Sequence, residues 1–282
     1  MTREIYKLYC YIDTIEKSRM DKGNLTDDLI ASIRTFVPGI SLDCVVFGYS
    51  EGVLKVLLLK YYNVEAWGLP GGFLQSDMDM HQAANEVLYQ RTGLRDVFLT
   101  QYHTFSDLNR GWDVNKRSMS AIAQVQSIWP EKHKAELEAW FYQRFISTAF
   151  LALIQADKAS LSKDHISECC EWKPISDLPP LVLDHRQMIE MALEHLKVQM
   201  NYMPVGKFLL ADKFTMSDVQ ILYETILHKK LDRGNFQRKM LKLGIFKRHE
   251  KLMTGASNKA PFLYSINHEA YNKLLKEGIG FL

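Results

Sequence analysis

The 282-residue chain has four cysteines, eight prolines and almost no net charge, and each scarcity excludes something. Its cysteines (Cys10, Cys44, Cys169, Cys170) show no C-x-x-C spacing. That argues against a zinc site or a disulfide framework and suits a reducing, cytoplasmic location. A net charge of +2 gives no global attraction to nucleic acid or membrane, so any polyanion binding must come from a local asymmetry. No apolar run approaches the roughly 18 residues of a membrane span, and no membrane partner is expected. The opening M-T-R-E-I-Y-K-L-Y-C places charges inside its apolar stretch and does not read as a signal peptide. The length suits two domains. Hydrophobic content of 47% with 24% charged residues is that of ordinary globular domains.

Residues 67–94 organise the rest: W-G-L-P-G-G-F-L-Q-S-D-M-D-M-H-Q-A-A-N-E-V-L-Y-Q-R-T-G-L. Trp67, Leu69, Pro70, Gly71 and Gly72 at one end, and Ala83, Ala84, Leu88, Thr92, Gly93 and Leu94 at the other, resemble the anchors of the Nudix box. That box is the loop-helix-loop by which Nudix hydrolases hold magnesium and cut a pyrophosphate. The spacing is the family's, but its acids are missing. Met78 stands where the family has Glu, Glu86-Val87 where it has Arg-Glu, and Gln90-Arg91 where it has Glu-Glu. Positions 87, 90 and 91 share one helix face. Magnesium needs anionic oxygens there, and the face offers an isopropyl group, an amide and a guanidinium. Moving Glu86 into place would turn the helix by about 100° and break the spacing of both glycine anchors. The resemblance therefore implies a retained scaffold with no catalytic residue, no metal ligand and no cofactor.

Residues 1–40 read as an N-terminal extension. Leu29, Ile30, Ile33 and Phe36 make an amphipathic helix stripe after a polar cap, ended by Pro38-Gly39. Residues 41–200 read as the Nudix-like domain. Strand runs at 42–47 and 53–60 flank the turn Tyr49-Ser50-Glu51-Gly52 as a hairpin, and a further strand spans 97–105. An insertion at about 112–143, helix-favouring from residue 131, is placed to cover a ligand cleft. Strands at 144–154 and 169–173, a loop at 174–180 and a helix at 184–198 complete the domain. Asp184 is the expected cap of that helix, and His185 suits capping or packing better than a metal.

Residues 201–282 change character. A linker at 201–206 leads to a helix capped by Thr215, with Asp218 three residues on. A second helix, about 233–243, buries Phe236, Met240 and Leu243 and turns Asn235, Arg238 and Lys242 outward, with Gln237 and Lys239 on the flanks. Leu241 also falls outward, against its character. Gly244 ends the helix, and strand runs at 245–252 and 261–266 follow. Helix, helix, hairpin is the order of a winged helix-turn-helix. Residues 213–259 hold eleven Lys and Arg against four Asp and Glu, an excess of seven, while the remainder is net acidic. That asymmetry is where a polyanion would bind.

A Nudix-like domain without its glutamates, followed by a basic winged helix, resembles the Nudix-related transcriptional regulators. The blocks V-G-K-F-L-L-A-D-K-F-T-M-S-D-V-Q-I-L-Y-E (205–224) and D-R-G-N-F-Q-R-K-M (232–240) carry the likeness further. The resemblance implies an α+β chain: a Nudix-like α/β/α sandwich with a mixed sheet, then the winged helix. It implies a homodimer on a near-palindromic double-stranded DNA operator, and a small-molecule effector, either ADP-ribose or a sugar such as L-arabinose. Expected ligand contacts are Trp67, Gln75, Arg91, Arg110 and Arg144, on segments that line a Nudix cleft. Expected DNA contacts are Lys213, Ser217, Asn235, Gln237, Arg238, Lys239, Lys242, Lys247, Arg248, Lys251, Asn258 and Lys259, of the types that read phosphates and base edges. Two rivals remain. One is an active Nudix pyrophosphohydrolase using Asp77, Asp79 and Glu86. The other is a binding scaffold for RNA or protein, although no aromatic stacking platform is apparent.

Overall fold

A computed structural model describes residues 34–61, 65–108, 110, 132, 134–164, 167–204, 206–253 and 260–277. Most of the expected N-terminal helix and of the 112–143 insertion, and the candidates Asn258 and Lys259, lie outside the described residues.

The first domain is built on a seven-stranded mixed sheet. Strand β1 (Phe36–Ser50) pairs antiparallel with β2 (Val53–Tyr61) and β4 (Gly71–Gln75), and parallel with β6 (Ile146–Gln155). β3 (Trp67–Gly68) and β7 (Ser167–Pro174) pair with β2, and β5 (Phe98–Phe105) pairs with β6, all antiparallel. The turn between β1 and β2 is Glu51-Gly52, both at positive φ (53° and 78°), the two-residue geometry that matches strand twist.

β1, β2 and β6 are each buried over a run of consecutive residues rather than at alternate positions, because both sheet faces are covered. Val45 and Phe47 of β1, with Ala149, Leu151 and Leu153 of β6, enter a core closed by helix α3 (His185–Gln199) through Met188, Ile189, Ala192 and Leu196. The intervening Leu42, Cys44, Val46, Phe150, Ala152 and Ile154 enter a second core. Helix α1 (Met80–Thr92) closes that one through Ala83, Ala84 and Leu88. Helix α2 (Lys134–Tyr142) realises the helix-favouring end of the insertion, and its Trp140 ring lies 5.9 Å from Phe36 and 5.7 Å from Phe73.

Two expectations change here. Phe36 is not the end of a helical stripe; it is the first residue of β1, buried against Phe73 and Trp140. Its partners come from distant segments, so local periodicity could not place it. Asp184 precedes α3 but makes no side-chain cap bond: its backbone (φ −97°, ψ 17°) is not the extended form a cap takes, and its Oδ2 accepts from Arg110.

The second domain contains a short α4 (Gly206–Leu209), β8 (Phe214–Thr215), α5 (Met216–Leu227), α6 (Arg233–Lys242), β9 (Phe246–Lys251), β10 (Phe262–Ile266) and α7 (His268–Glu277). β8 and β9 flank β10 in a three-stranded sheet. Helix α7 has no counterpart among the elements expected from the sequence. Its signal was Asn267, which accepts the Ala270 N–H at 3.2 Å, ahead of Tyr271 and Leu274.

The stretch after α3 is no free linker. Met203 and Pro204 are buried, and the Tyr271 hydroxyl donates to the Pro204 carbonyl at 3.2 Å. The α3 core continues through Leu209, Phe214, Val219, Leu222 and Ile226, so the two domains share one core. The Phe98 and Phe208 rings meet across the seam at 4.9 Å, tilted by 42°, and Thr225 Oγ1 donates to the Gly52 carbonyl at 3.3 Å.

Candidate functional site

The box folds as its anchors require. Asp79 Oδ1 accepts the Gln82 N–H at 2.8 Å while Gln82 Oε1 accepts the Asp79 N–H at 3.2 Å, a reciprocal cap that starts α1. At the other end Gly93 donates to the Tyr89 carbonyl at 2.8 Å. The leading loop lies directly on β1: a Cβ at Gly71 would sit 2.6 Å from Asp43 Oδ1 and 2.7 Å from the Leu42 carbonyl, so only glycine fits.

The face that carries metal in a Nudix hydrolase is occupied differently. Met78 and Val87 pack against the α1 core. Gln90 Nε2 donates to Glu86 Oε1 at 3.1 Å. Between this face and β4 is a cavity of only about 20 Å³, lined by Phe73, Gln75, Met78, Val87, Gln90 and Arg91 among others. Arg91 is buried, 6% exposed, and its Nη2 lies 3.2 Å from Asp164 Oδ2. The same segment binds the end of α1 through its backbone: the Ser162 and Ser160 N–H groups donate to the Arg91 and Thr92 carbonyls at 3.0 and 2.9 Å. Among the described residues, no group of three or more His, Cys, Asp and Glu could hold a metal ion.

A second polar cluster lies under the leading loop. Asp43 of β1 accepts from Ser147 Oγ at 2.5 Å, and Arg110 reaches Asp184 at 2.7 Å and Asp43 at 3.5 Å. The Leu69 N–H donates to His185 Nδ1 at 3.0 Å, while His185 Nε2 faces Asp43 Oδ1 at 3.5 Å. An accepting Nδ1 requires a neutral ring. Burial lowers the His185 pKa first of all; Asp43 and Asp184 oppose this, and Arg110 reinforces it. Sequence reasoning missed Asp43, a single acid in an apolar strand that was its own signal.

The five expected ligand residues do not gather in one pocket. Gln75 and Arg91 line the small box cavity. The Arg110 side chain is 6% exposed and held by two carboxylates. Arg144 is exposed and donates to the Ser106 carbonyl. Trp67 is half-buried, with Lys173 Nζ 4.3 Å from its ring centre.

The expected DNA face is more coherent. Thr215 and Asp218 form the capping box that starts α5. Asp232 Oδ1 accepts the Asn235 N–H at 2.8 Å and starts α6. Phe236 and Met240 are buried, while Asn235, Arg238, Lys239 and Lys242 are exposed and Gln237 is half-buried. Leu241 is 40% exposed, as the helical wheel anticipated. Ser217, Lys247, Arg248 and Lys251 are also exposed. Lys213 is exposed but paired with Glu250 at 2.8 Å. Glu224, unnoticed in the sequence, sets the turn between α5 and α6. It accepts the Leu231 N–H at 2.9 Å, a Gln220 amide and Lys230, and these bonds, the Leu231 N–H foremost, hold its pKa down to about 2.

Residues 206–266 match the NrtR DNA-binding winged helix domain family. The chain is 25% identical over 218 residues, 74% of each sequence, to the ADPR responsive transcriptional repressor NtrR of Acinetobacter baylyi. It is 26% identical over 125 residues to the RNA pyrophosphohydrolase of Brucella abortus, covering 44% of this chain and 64% of that one. Among solved structures, Shewanella oneidensis NrtR complexed with a 27mer DNA superimposes with a TM-score of 0.59 at 22% identity. That match covers 83% of this chain and 95% of the other, a likeness of fold. Over most of its length the chain is similar to that Acinetobacter repressor, and it shares with Shewanella NrtR the fold of a mixed-sheet domain followed by a winged helix.

Proposed function

We propose that the chain is a DNA-binding transcriptional repressor whose Nudix-like domain binds an effector without cleaving it. The observation that carries this is the outward polar face of α6: Asn235, Arg238, Lys239 and Lys242, displayed by a helix anchored through Phe236 and Met240. An effector of the ADP-ribose class is favoured over L-arabinose, because the Acinetobacter relative is named as ADPR responsive. The chain acts as a cytoplasmic homodimer, placing two α6 helices one helical turn apart on a near-palindromic operator. Because the domains share a core, the effector changes how one protomer sits against the other rather than bending a linker within each. To do so it must bind one arrangement better than the other.

A second reading, pyrophosphate hydrolysis, has the Brucella relative in its favour. Two of the acids it would use are already engaged: Asp79 caps α1, and Glu86 accepts from Gln90. The test uses the full chain and duplexes selected by it from a random-sequence pool. Arg238→Ala and Lys242→Ala are each expected to weaken binding, with the salt slope falling by about one unit for a lost phosphate contact. ADP-ribose is expected to release the duplex and to be recovered intact in the presence of magnesium. Unchanged affinity and slope in both variants would remove α6 from the interface. Magnesium-dependent turnover abolished by Glu86→Gln would restore the hydrolase.

A further inference from the structure

We infer that helix α7, through Tyr271, is the clasp that fixes α6 relative to the sheet domain, so that a dimer holds its two α6 helices at one separation and selects operators by half-site spacing. This rests on the DNA-binding reading above and assigns Tyr271 as a positioning residue for it.

The matched winged helix domain ends at residue 266, and α7 lies beyond it. Yet Tyr271 of α7 is 0% exposed, the largest fully buried side chain among the described residues. Ala270 and Leu274, on the same face by helical spacing, pack against the core that both domains share. The Tyr271 hydroxyl donates to the Pro204 carbonyl at 3.2 Å, in the stretch that joins the domains. Its ring meets Phe208 edge-on at 6.3 Å, and Phe208 in turn reaches Phe98 of β5. Lys207 Nζ lies 4.4 Å from the centre of the Tyr271 ring, a cation–π contact. At its start α7 is tied to the winged helix as well. The Asn267 N–H donates to the Ile245 carbonyl at 2.8 Å, and Ile245 is a buried residue just past the end of α6.

The polar contacts that cross the seam elsewhere are weaker. Lys158 and Asp212 pair at 2.7 Å, but their side chains are 52% and 79% exposed, so solvent screens them. Thr225 makes a single exposed bond to Gly52. Turning the winged helix about the Pro204 stretch has to pull Tyr271 out of the core. That strands a buried carbonyl without its donor and puts an aromatic ring into water. A domain held in this way does not swing, and the separation of two α6 helices in a dimer is set by the body of the protein. Bivalent binding then gains most from the second half-site when the span of the protein matches that of the operator. A winged helix free to swing would accept several spacings and gain less from each. If α7 only completed the winged helix's own core, its loss would instead weaken every DNA contact alike.

The test compares the full chain with Tyr271→Ala and Tyr271→Phe, first without DNA. In Tyr271→Ala, hydrogen exchange at the Met203 and Leu210 amides, bonded to the Gln199 and Gly206 carbonyls at 2.8 and 3.0 Å, is expected to quicken. Exchange in β9 and β10 should stay as in the parent. Each protein is then titrated with selected duplexes carrying one half-site, two at the selected spacing, or two with the spacing lengthened by about half a helical turn. Affinity for one half-site should not change in Tyr271→Ala. The gain from the second half-site should fall roughly tenfold, and the lengthened spacing should be penalised less. Tyr271→Phe keeps the ring and loses only the hydroxyl, so it should show a smaller change of the same kind. Exchange and spacing preference both unchanged in Tyr271→Ala would overturn the clasp; if Arg238→Ala still weakens binding in that case, the DNA-binding reading survives. Single-site affinity falling in step with two-site affinity, or exchange rising in β9 and β10 too, would also overturn it, making α7 part of the winged helix's own fold. A parent indifferent to spacing would sink it as well. If no duplex is selected at all, both readings fall together.

Discussion

Arg91 offers the sharpest test of how the box was rebuilt. The perturbation is Arg91→Ala. In the folded protein the guanidinium and the Asp164 carboxylate are 7% and 5% exposed, so solvent screens neither. Removing the guanidinium takes the charged partner from a buried carboxylate, a loss of about 3–5 kcal/mol. For a chain of this size each kcal/mol moves the melting temperature by roughly 2–4 °C, so a fall of about 6–20 °C is expected. Replacing both partners, Arg91→Met with Asp164→Leu, should recover most of that loss, because the pair gains little over well-packed apolar groups. Arg91→Glu, which restores the hydrolase residue at this position, should be worse than alanine, since it sets two carboxylates against each other. Urea unfolding of the parent and the three variants reads each difference directly. A stability loss below about 1 kcal/mol for Arg91→Ala would mean the pair is solvated and weak. Arg91 would then be free to face a ligand, and the buried ion pair could no longer explain what replaced the metal site.

Two further expectations follow from the site and the seam. His185 must stay neutral to accept from Leu69, and its folded pKa is lowered from the ordinary value. Its contribution to stability is therefore fully present above the unfolded pKa of about 6.5 and lost as pH falls through the folded pKa; His185→Asn, which has no such titration, should flatten the stability profile below neutrality, and a profile that kept its acid slope would assign that slope elsewhere. Thr215→Ala removes the hydroxyl that accepts the Asp218 N–H at 3.2 Å and should cost about 1 kcal/mol of stability with no effect on salt slope; a DNA-binding defect without a stability change would contradict the capping role.

The parts of the fold that the sequence made legible are those written in local chemistry. The apolar runs of β1 and β2, the Glu51-Gly52 turn, the Thr215 cap and the inward stripe of α6 all depend on residues within a turn or two of one another. The loss of the metal-binding acids was legible too, because ligand type and helix spacing are both local. Phe36 and Asp184 were misplaced for the opposite reason. Each is claimed by a partner far along the chain, Trp140 for one and Arg110 for the other, and a long-range contact overrode a local preference.

By itself the sequence determined that the box keeps its loop-helix-loop and has lost its acids, and that a basic winged helix follows. Only the tertiary structure decided what fills the loss. Arg91, which on a helical wheel faces the old metal cleft, is drawn to Asp164, 73 residues on. Arg110, which reads as a loop residue free for a ligand, lies between Asp43 and Asp184. The stretch after α3, which reads as a linker, is packed into a core common to both domains. A sequence pattern fixes which way a side chain leaves its own helix or strand; which distant group it meets there depends on how the sheet faces are covered, and that is decided only when the whole chain has packed.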